Sequence, residues 1–126
     1  VLEKSLTGKV KEVIDGRTIL LERGDIVEYI GVDTVDKSNN FFEDAKNFNR
    51  LLVDGKHVKL QFDIQGRTPD GNLFAYVFAE GIFVNGEIIK HGYAKFVSHP
   101  QNIQHQELFT IYEAEAIKRK KGIWGK

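Results

Sequence analysis

The sequence predicts an α+β domain built on a five-stranded, OB-fold-type Greek-key β-barrel, with about three helices packed outside it. Two runs rich in β-forming residues flank the pair Asp15-Gly16, which is typical of a β-hairpin. Apolar residues recur every three or four positions from Phe41 to Leu52, as on one face of a helix. Residues 57–63 alternate between apolar and polar side chains, as in a half-buried strand. One helix between the third and fourth of five strands indicates this barrel.

Turn residues separate the predicted elements from one another. In chain order, we predict strands over residues 6–13, 18–21 and 26–32, a helix over 41–52, strands over 57–63 and 73–79, a short apolar run over 82–84, a short helix over 85–92, a strand over 93–97 and a last helix from about residue 104. Gly55 is predicted to end the middle helix and Gly122 the last one, because glycine is favoured just after a helix.

Length and composition limit the classes of function. The 126 residues suit a single compact domain covering residues 1–126. Lys and Arg balance Asp and Glu, 18 against 18, so no overall positive charge points to nucleic acid. No apolar run reaches the ~18 residues of a membrane span, and no membrane partner is expected. The absence of cysteine excludes disulfides and thiolate metal sites and leaves the cellular compartment open.

The charges are unevenly distributed along the chain. Residues 15–54 hold five Lys or Arg against nine Asp or Glu, whereas residues 85–126 hold seven against four. The first segment contains two carboxylate-bearing stretches, VIDGRT at 13–18 and GVDTVD at 31–36. Carboxylate oxygens are the ligands of a hard divalent cation, yet Arg17 places a fixed positive charge in the first stretch.

Seven short pieces resemble the staphylococcal-nuclease-like (thermonuclease) family. They are VIDGxT at 13–18, IGVDT at 30–34, GxLxAYV at 71–77, VN at 84–85, GYAK at 92–95, EAEA at 113–116 and GIW at 122–124. The resemblance implies the barrel fold over nearly the whole chain. It also implies that active members hydrolyse DNA and RNA phosphodiesters with a calcium ion and two arginines. Such chemistry develops negative charge on phosphate oxygens, which cationic groups stabilise.

Most residues that the family uses for this chemistry are replaced. Its metal-binding positions correspond to Arg17, Asp33 and Thr34, and its catalytic positions to Glu28, Asp36 and Asn72. The resemblance implies that Arg17 stands in place of a metal-binding Asp, and that Glu28 and Asn72 stand in place of the two arginines. Asp36 stands in place of a Glu that acts as general base. No metal ligand set and no catalytic set is therefore expected to be complete.

Arg17 and Glu28 exchange the signs of charge that active relatives place at these two positions. We expect a direct ion pair between them that fills the metal site, with the Arg17 guanidinium within hydrogen-bond distance of Glu28 or Asp33. The alternative is two independent, solvated surface charges.

Further candidates for binding lie on loops. Arg67, five residues before Asn72, is either a substitute arginine or a solvated loop residue, and the second interpretation is favoured. His99 lies near where relatives place groups that contact the nucleotide, and a zinc role is not favoured. The basic run 118–121 either binds phosphate or complements a helix dipole, and again the second is favoured. The candidate binding surface comprises Arg17, Glu28, Asp33, Asp36, Arg67, Asn72 and His99.

These observations predict a degenerate staphylococcal-nuclease-like domain that acts as a non-catalytic binding module, with no cofactor. A protein partner, or another domain of a larger chain, is the favoured ligand. The alternative is a nucleic-acid-binding domain or a weak, metal-independent nuclease. A salt-dependent affinity for single-stranded oligonucleotides separates the two, because phosphate contacts release counterions.

Overall fold

The computed structural model describes residues 5–125. Its strands are β1 (Ser5–Asp15), β2 (Thr18–Leu21), β3 (Ile26–Tyr29), β4 (Val32–Thr34), β5 (His57–Gln61), β6 (Leu73–Ala79), β7 (Ile82–Phe83) and β8 (Ala94–Phe96). Its helices are α1 (Phe41–Val53), α2 (Val84–Lys90) and α3 (Gln106–Lys118), followed by a 3₁₀ turn over Gly122–Trp124. The predicted α+β class with three helices is confirmed.

Five of the strands form a closed barrel, as predicted. Hydrogen bonding follows the order β3-β2-β1-β5-β6, and a parallel pairing of β3 with β6 closes the ring. β1 has 11 residues, so that its second half pairs with β2 and its first half with β5. Burial alternates along β3, which turns Val27 and Tyr29 inward and leaves Glu28 half-buried on the outer side.

The third strand is shorter than the predicted range 26–32. β3 ends at Tyr29, and β4 begins at Val32 and pairs with β8 instead of a barrel strand. Gly31 has φ +84°, and a Cβ atom there would lie 2.7 Å from Cε2 of Phe109 in α3. The close approach of α3 therefore explains why the chain turns at this glycine and leaves the barrel.

The helices lie where they are predicted, with shifted bounds. α1 ends at Val53, one residue later than predicted, and Gly55 follows with φ +70°. α2 begins at Val84 and ends before the predicted residue 92. α3 begins at Gln106, about two residues later than predicted, and the N–H group of Gln104 before it donates to the Asp63 carboxylate at 3.0 Å. None of the helices within residues 5–125 has both the length and the apolar content needed to cross a membrane.

A buried asparagine connects the second helix to the barrel. Asn85 accepts a 2.7 Å hydrogen bond from the Val77 N–H group through Oδ1. Its Nδ2 donates to the Ile30 and Ala75 carbonyls at 2.9 and 3.2 Å. The side chain is fully buried and satisfied on both sides, which makes it a structural rather than a ligand-binding residue.

The C-terminal segment closes against the end of α2 through two glycines. The Ile123 N–H group donates a 2.8 Å hydrogen bond to the Gly92 carbonyl. A Cβ atom on Gly122 would lie 2.1 Å from that same carbonyl oxygen, and a Cβ atom on Gly92 would lie 2.3 Å from the Lys121 carbonyl oxygen. Only glycine fits at either position. Both glycines lie in pieces that resemble the family, GYAK at 92–95 and GIW at 122–124.

Candidate functional site

The site is built around the tip of the β1–β2 hairpin. Asp15 pairs with Thr18, so the loop consists of Gly16 and Arg17, and the Arg17 N–H group donates to Asp15 Oδ1 at 2.9 Å. A Cβ atom on Gly16 would lie 2.7 Å from Ala45 Cβ and 3.0 Å from Thr34 Cγ2. The glycine therefore allows the hairpin tip to lie directly against α1 and β4. The predicted hairpin is confirmed.

Two buried residues that sequence reasoning missed hold this tip in place. Asn49 of α1 donates from Nδ2 to the Asp15 carbonyl at 2.9 Å and accepts from the Tyr29 hydroxyl at 2.7 Å. Burial raises the pKa of Tyr29, so the hydroxyl keeps its proton and remains a donor. Asn49 follows Phe48, a residue of the predicted apolar stripe. Its position next to an inward-facing residue was the only signal in the sequence that pointed to the burial of Asn49.

Three of the positions that the resemblance implies to be replaced lie in one chain of contacts. Arg17 Nη1 lies 3.9 Å from Glu28 Oε1, and Asn72 Nδ2 donates a 3.0 Å hydrogen bond to Glu28 Oε2. The register explains the meeting, because Thr18 pairs with Glu28 across the β2–β3 ladder. The Glu28 side chain is 18% exposed, so its carboxylate is largely removed from solvent between these two partners.

The Arg17–Glu28 contact is looser than predicted. A separation of 3.9 Å is within the range of an ion pair but beyond that of a hydrogen bond, and within residues 5–125 no ion pair joins Arg17 to Asp33. The expectation of a guanidinium at hydrogen-bond distance is therefore wrong. Asn72, rather than Arg17, makes the direct hydrogen bond, because closure of the barrel between β3 and β6 brings its amide to Glu28.

His99 joins this cluster through an aromatic contact. Its ring lies edge-on to Phe74 with 4.9 Å between the centroids, and Phe74 is the parallel partner of Glu28 in the barrel. Partial burial, together with the nearby positive charge of Arg17, lowers the pKa of His99 below its usual value. His99 is therefore neutral near pH 7 and adds no positive charge to the cluster formed by Arg17, Glu28, Asn72 and His99, which we call the hairpin cluster.

The remaining carboxylates do not converge on the hairpin cluster. Asp33 is exposed on β4, directly across the ladder from Lys95. Asp36 is exposed, and both hydrogen bonds that its carboxylate accepts within the described chain come from Ser38. These bonds lower the pKa of Asp36, so the carboxylate is ionised but bound to its own loop.

Arg67 is occupied by its own loop. Its Nη1 donates a 2.8 Å hydrogen bond to the Gly71 carbonyl, the residue before Asn72, and the side chain is exposed. In the basic run, Arg119 forms an ion pair with Glu115 one turn earlier in the same helix, at 3.4 Å. Both observations agree with the solvated interpretation of these charges.

The donor set does not suit a calcium ion. Arg17 presents a guanidinium where the resemblance implies a carboxylate, and a hard cation needs oxygen ligands. The Glu28 carboxylate is already shared between Arg17 and Asn72. Within residues 5–125, no three His, Asp or Glu side chains are grouped closely enough to hold a metal ion.

Several known proteins are similar in sequence to this chain over most of its length. Residues 26–126 match the family described as staphylococcal nuclease homologue. The chain is 31% identical to a thermonuclease of Staphylococcus intermedius over 124 residues, which cover 91% of this chain and 74% of that protein. It is 33% identical to endonuclease YncB of Bacillus subtilis (strain 168) over 136 residues, or 98% of this chain and 64% of the relative.

A third relative is similar over a smaller share of its own length. The SPbeta prophage-derived endonuclease YokF of Bacillus subtilis (strain 168) is 34% identical over 125 residues, which cover 90% of this chain and 42% of that protein. Together with the barrel and the ordered sequence pieces, these matches show that the chain belongs to the staphylococcal nuclease homologue family.

Proposed function

We propose that this chain is a nuclease-like domain that binds a partner without hydrolysing phosphodiesters by the calcium-dependent route. The observation that carries the proposal is the contact chain of Arg17, Glu28 and Asn72. These are the positions where the resemblance implies a metal ligand and two phosphate-binding arginines. Here the Glu28 carboxylate accepts a hydrogen bond from Asn72 and lies within ion-pair distance of Arg17, so a fixed negative charge occupies the place where a phosphate would have to bind.

The charges at these positions also oppose the family's chemistry. Glu28 repels a phosphate group where an arginine would attract it, and Arg17 repels a cation where a carboxylate would bind it. Loss of one preorganised electrostatic group typically costs ~10²–10³ in rate. Loss of three at one site removes most of the acceleration, even though such losses are not additive.

A partner of the hairpin cluster has to match its shape and polarity. Arg17 and Glu28 offer one positive and one negative group, and beside them lies the partly exposed ring of His99, which packs edge-on against the buried Phe74. A pair of opposite charges next to a neutral ring suits a protein surface better than a uniformly negative backbone. We therefore favour a protein partner, or another domain of a longer chain.

Calcium is expected to leave the stability of the natural protein unchanged. Addition of about 10 mM calcium should move its melting temperature by less than about 1 °C, because a ligand stabilises only a site that it binds. The variant Arg17→Asp places a carboxylate beside Glu28 and should be less stable without calcium, since like charges crowd. Calcium should restore several degrees to it, as followed by circular dichroism.

The variant Lys59→Asp is the matched control for this experiment. Lys59 is exposed on β5 opposite Thr7 and Phe78, and within the described chain it forms no ion pair, so its reversal changes the net charge equally without placing two carboxylates side by side. Its melting temperature should not respond to calcium. A rise of several degrees in the natural protein would show that a calcium site persists despite Arg17.

Nucleic-acid binding is the second candidate function. It is favoured by the three relatives named above, which are a thermonuclease and two endonucleases. If it is correct, a labelled single-stranded oligonucleotide should bind at low salt, with an affinity that falls steeply as salt increases. No binding at low salt by a folded sample would exclude it. The double variant Arg17→Gln, Arg67→Gln should weaken such binding if the oligonucleotide binds to the hairpin cluster and the neighbouring Arg67 loop.

A further inference from the structure

We propose that the outer face of α3 joins two copies of this chain in an antiparallel helix pair. The exposed residues of this face are Glu107, Thr110, Ile111, Ala114, Ile117 and Lys118. Ile111 is 53% exposed and Ile117 is 46% exposed. This face shares no residue with the hairpin cluster, so the inference is independent of the proposed function.

The fold itself does not need this apolar face. The core side of α3 buries Phe109 and Ala116, and Phe109 stacks on Phe96 with 5.1 Å between the rings. On the same helix, Glu113 accepts a 2.7 Å hydrogen bond from the Phe96 N–H group. The helix is thus anchored from one side, and the two isoleucines on the other side leave about half of their surface exposed within residues 5–125. Two large exposed apolar residues on one helix indicate a contact surface.

The charges on the face favour a second copy in antiparallel orientation. Glu107 and Lys118 lie 11 residues, or about three turns, apart on the same side of the helix. Antiparallel pairing about a two-fold axis brings Glu107 of each copy to Lys118 of the other, and Ile111 to Ala114. Parallel pairing would place like charges together. Within the described chain, neither Glu107 nor Lys118 forms an ion pair, so both charges are available.

The shape of the face is also self-complementary. An open groove of about 480 Å³ flanks the N-terminal half of the helix and is lined by Ile103, Gln106, Glu107, Thr110 and Ile111. In the antiparallel pair, the two-fold axis passes between residues 112 and 113. Ile117 of one copy then comes level with Leu108 of the other, about 7 Å from the axis, beside this groove. Each copy therefore supplies both an apolar side chain and a groove to receive it.

The size of the contact predicts a weak dimer. A helix of 13 residues is about 20 Å long, and one helix pair buries less than the roughly 800 Å² per partner of a standard stable interface. Association should therefore depend on concentration, and sedimentation equilibrium from about 10 μM to 1 mM is the suitable measurement.

Removal of the apolar contact tests the location of the interface. The variant Ile111→Lys should remain monomeric at concentrations where the natural protein dimerises, because it buries a charge without a partner. The matched control is Leu51→Lys on α1, where the leucine is 73% exposed, and it should dimerise as the natural protein does. Circular dichroism checks that both variants are folded.

Charge reversal tests both the partner and the orientation. Glu107→Lys and Lys118→Glu should each raise the dimer dissociation constant about tenfold, because each places two like-charge pairs in the dimer. An equimolar mixture of the two variants should recover dimers, since every cross-pair is again of opposite charge. The proposal would be overturned if the natural protein were still monomeric at about 1 mM, the highest concentration measured. It would also be overturned if Leu51→Lys weakened the dimer as much as Ile111→Lys does, or if the mixture of charge variants formed no dimers.

Discussion

Replacement of Gly122 by alanine is expected to lower the free energy of unfolding by about 3 kcal/mol. The new Cβ atom would lie 2.1 Å from the Gly92 carbonyl oxygen, and Gly122 has φ +52°, a conformation that L residues rarely adopt. Both backbones are fixed by the hydrogen bond from Ile123 to Gly92, so neither can move without breaking it. The melting temperature should fall by roughly 10 °C, measured by thermal denaturation.

The variant Gly55→Ala separates the effect of close approach from that of backbone conformation. Gly55 also has positive φ, at +70°, but nothing lies within 4 Å of a Cβ atom built on it. Only the conformational term of about 1 kcal/mol is expected there. Equal losses in the two variants would show that the contact of the C-terminal turn with α2 contributes little to stability.

The triple variant Arg17→Asp, Glu28→Arg, Asn72→Arg is expected to hydrolyse DNA in the presence of calcium at least about 100-fold faster than the natural sequence. It places a carboxylate and two guanidinium groups at positions that the fold already brings together. The shorter carboxylate of Asp36, which its own loop binds through Ser38, should keep the rate below that of the thermonuclease relatives. The rate of DNA hydrolysis is measured as the release of acid-soluble nucleotides.

The double variant Glu28→Arg, Asn72→Arg is the matched control for this gain. It carries both arginines but keeps the Arg17 guanidinium where a metal ligand is needed, and three positive charges would then meet without a carboxylate between them. It should remain inactive and lose stability by like-charge repulsion. Activity equal to that of the triple variant would show that Arg17 does not obstruct the metal.

The parts of the fold that were predicted correctly depend on residues close in sequence. The β1–β2 hairpin follows from Asp15-Gly16, and α1 follows from its periodic apolar residues. The predicted end of the third strand was wrong because the chain turns at Gly31, where Phe109 packs closely. Phe109 is 78 positions later in the chain (109 − 31). No local pattern around Gly31 carries that information.

The candidate site shows the same division. Arg17 and Glu28 were expected to be neighbours from the family resemblance, and in the structure two adjacent hairpins bring them together. The Asn72 hydrogen bond spans 44 positions and depends on barrel closure between β3 and β6, so it was not foreseen. As a result, the predicted ion pair has the right partners, but their separation of 3.9 Å is longer than the expected hydrogen-bond distance. The hydrogen bond to Glu28 comes from Asn72, which was expected only to stand in place of an arginine.

The initial rate of DNA hydrolysis by the natural protein, with calcium and with a chelator, tests most directly whether the calcium-dependent site has been lost. It should be measured with the protein in excess over DNA, beside the thermonuclease of Staphylococcus intermedius, a relative that is 31% identical. We expect equal rates with calcium and with chelator, both at the level of a blank. A calcium-dependent rate comparable to that of the relative would contradict the proposed loss of catalysis.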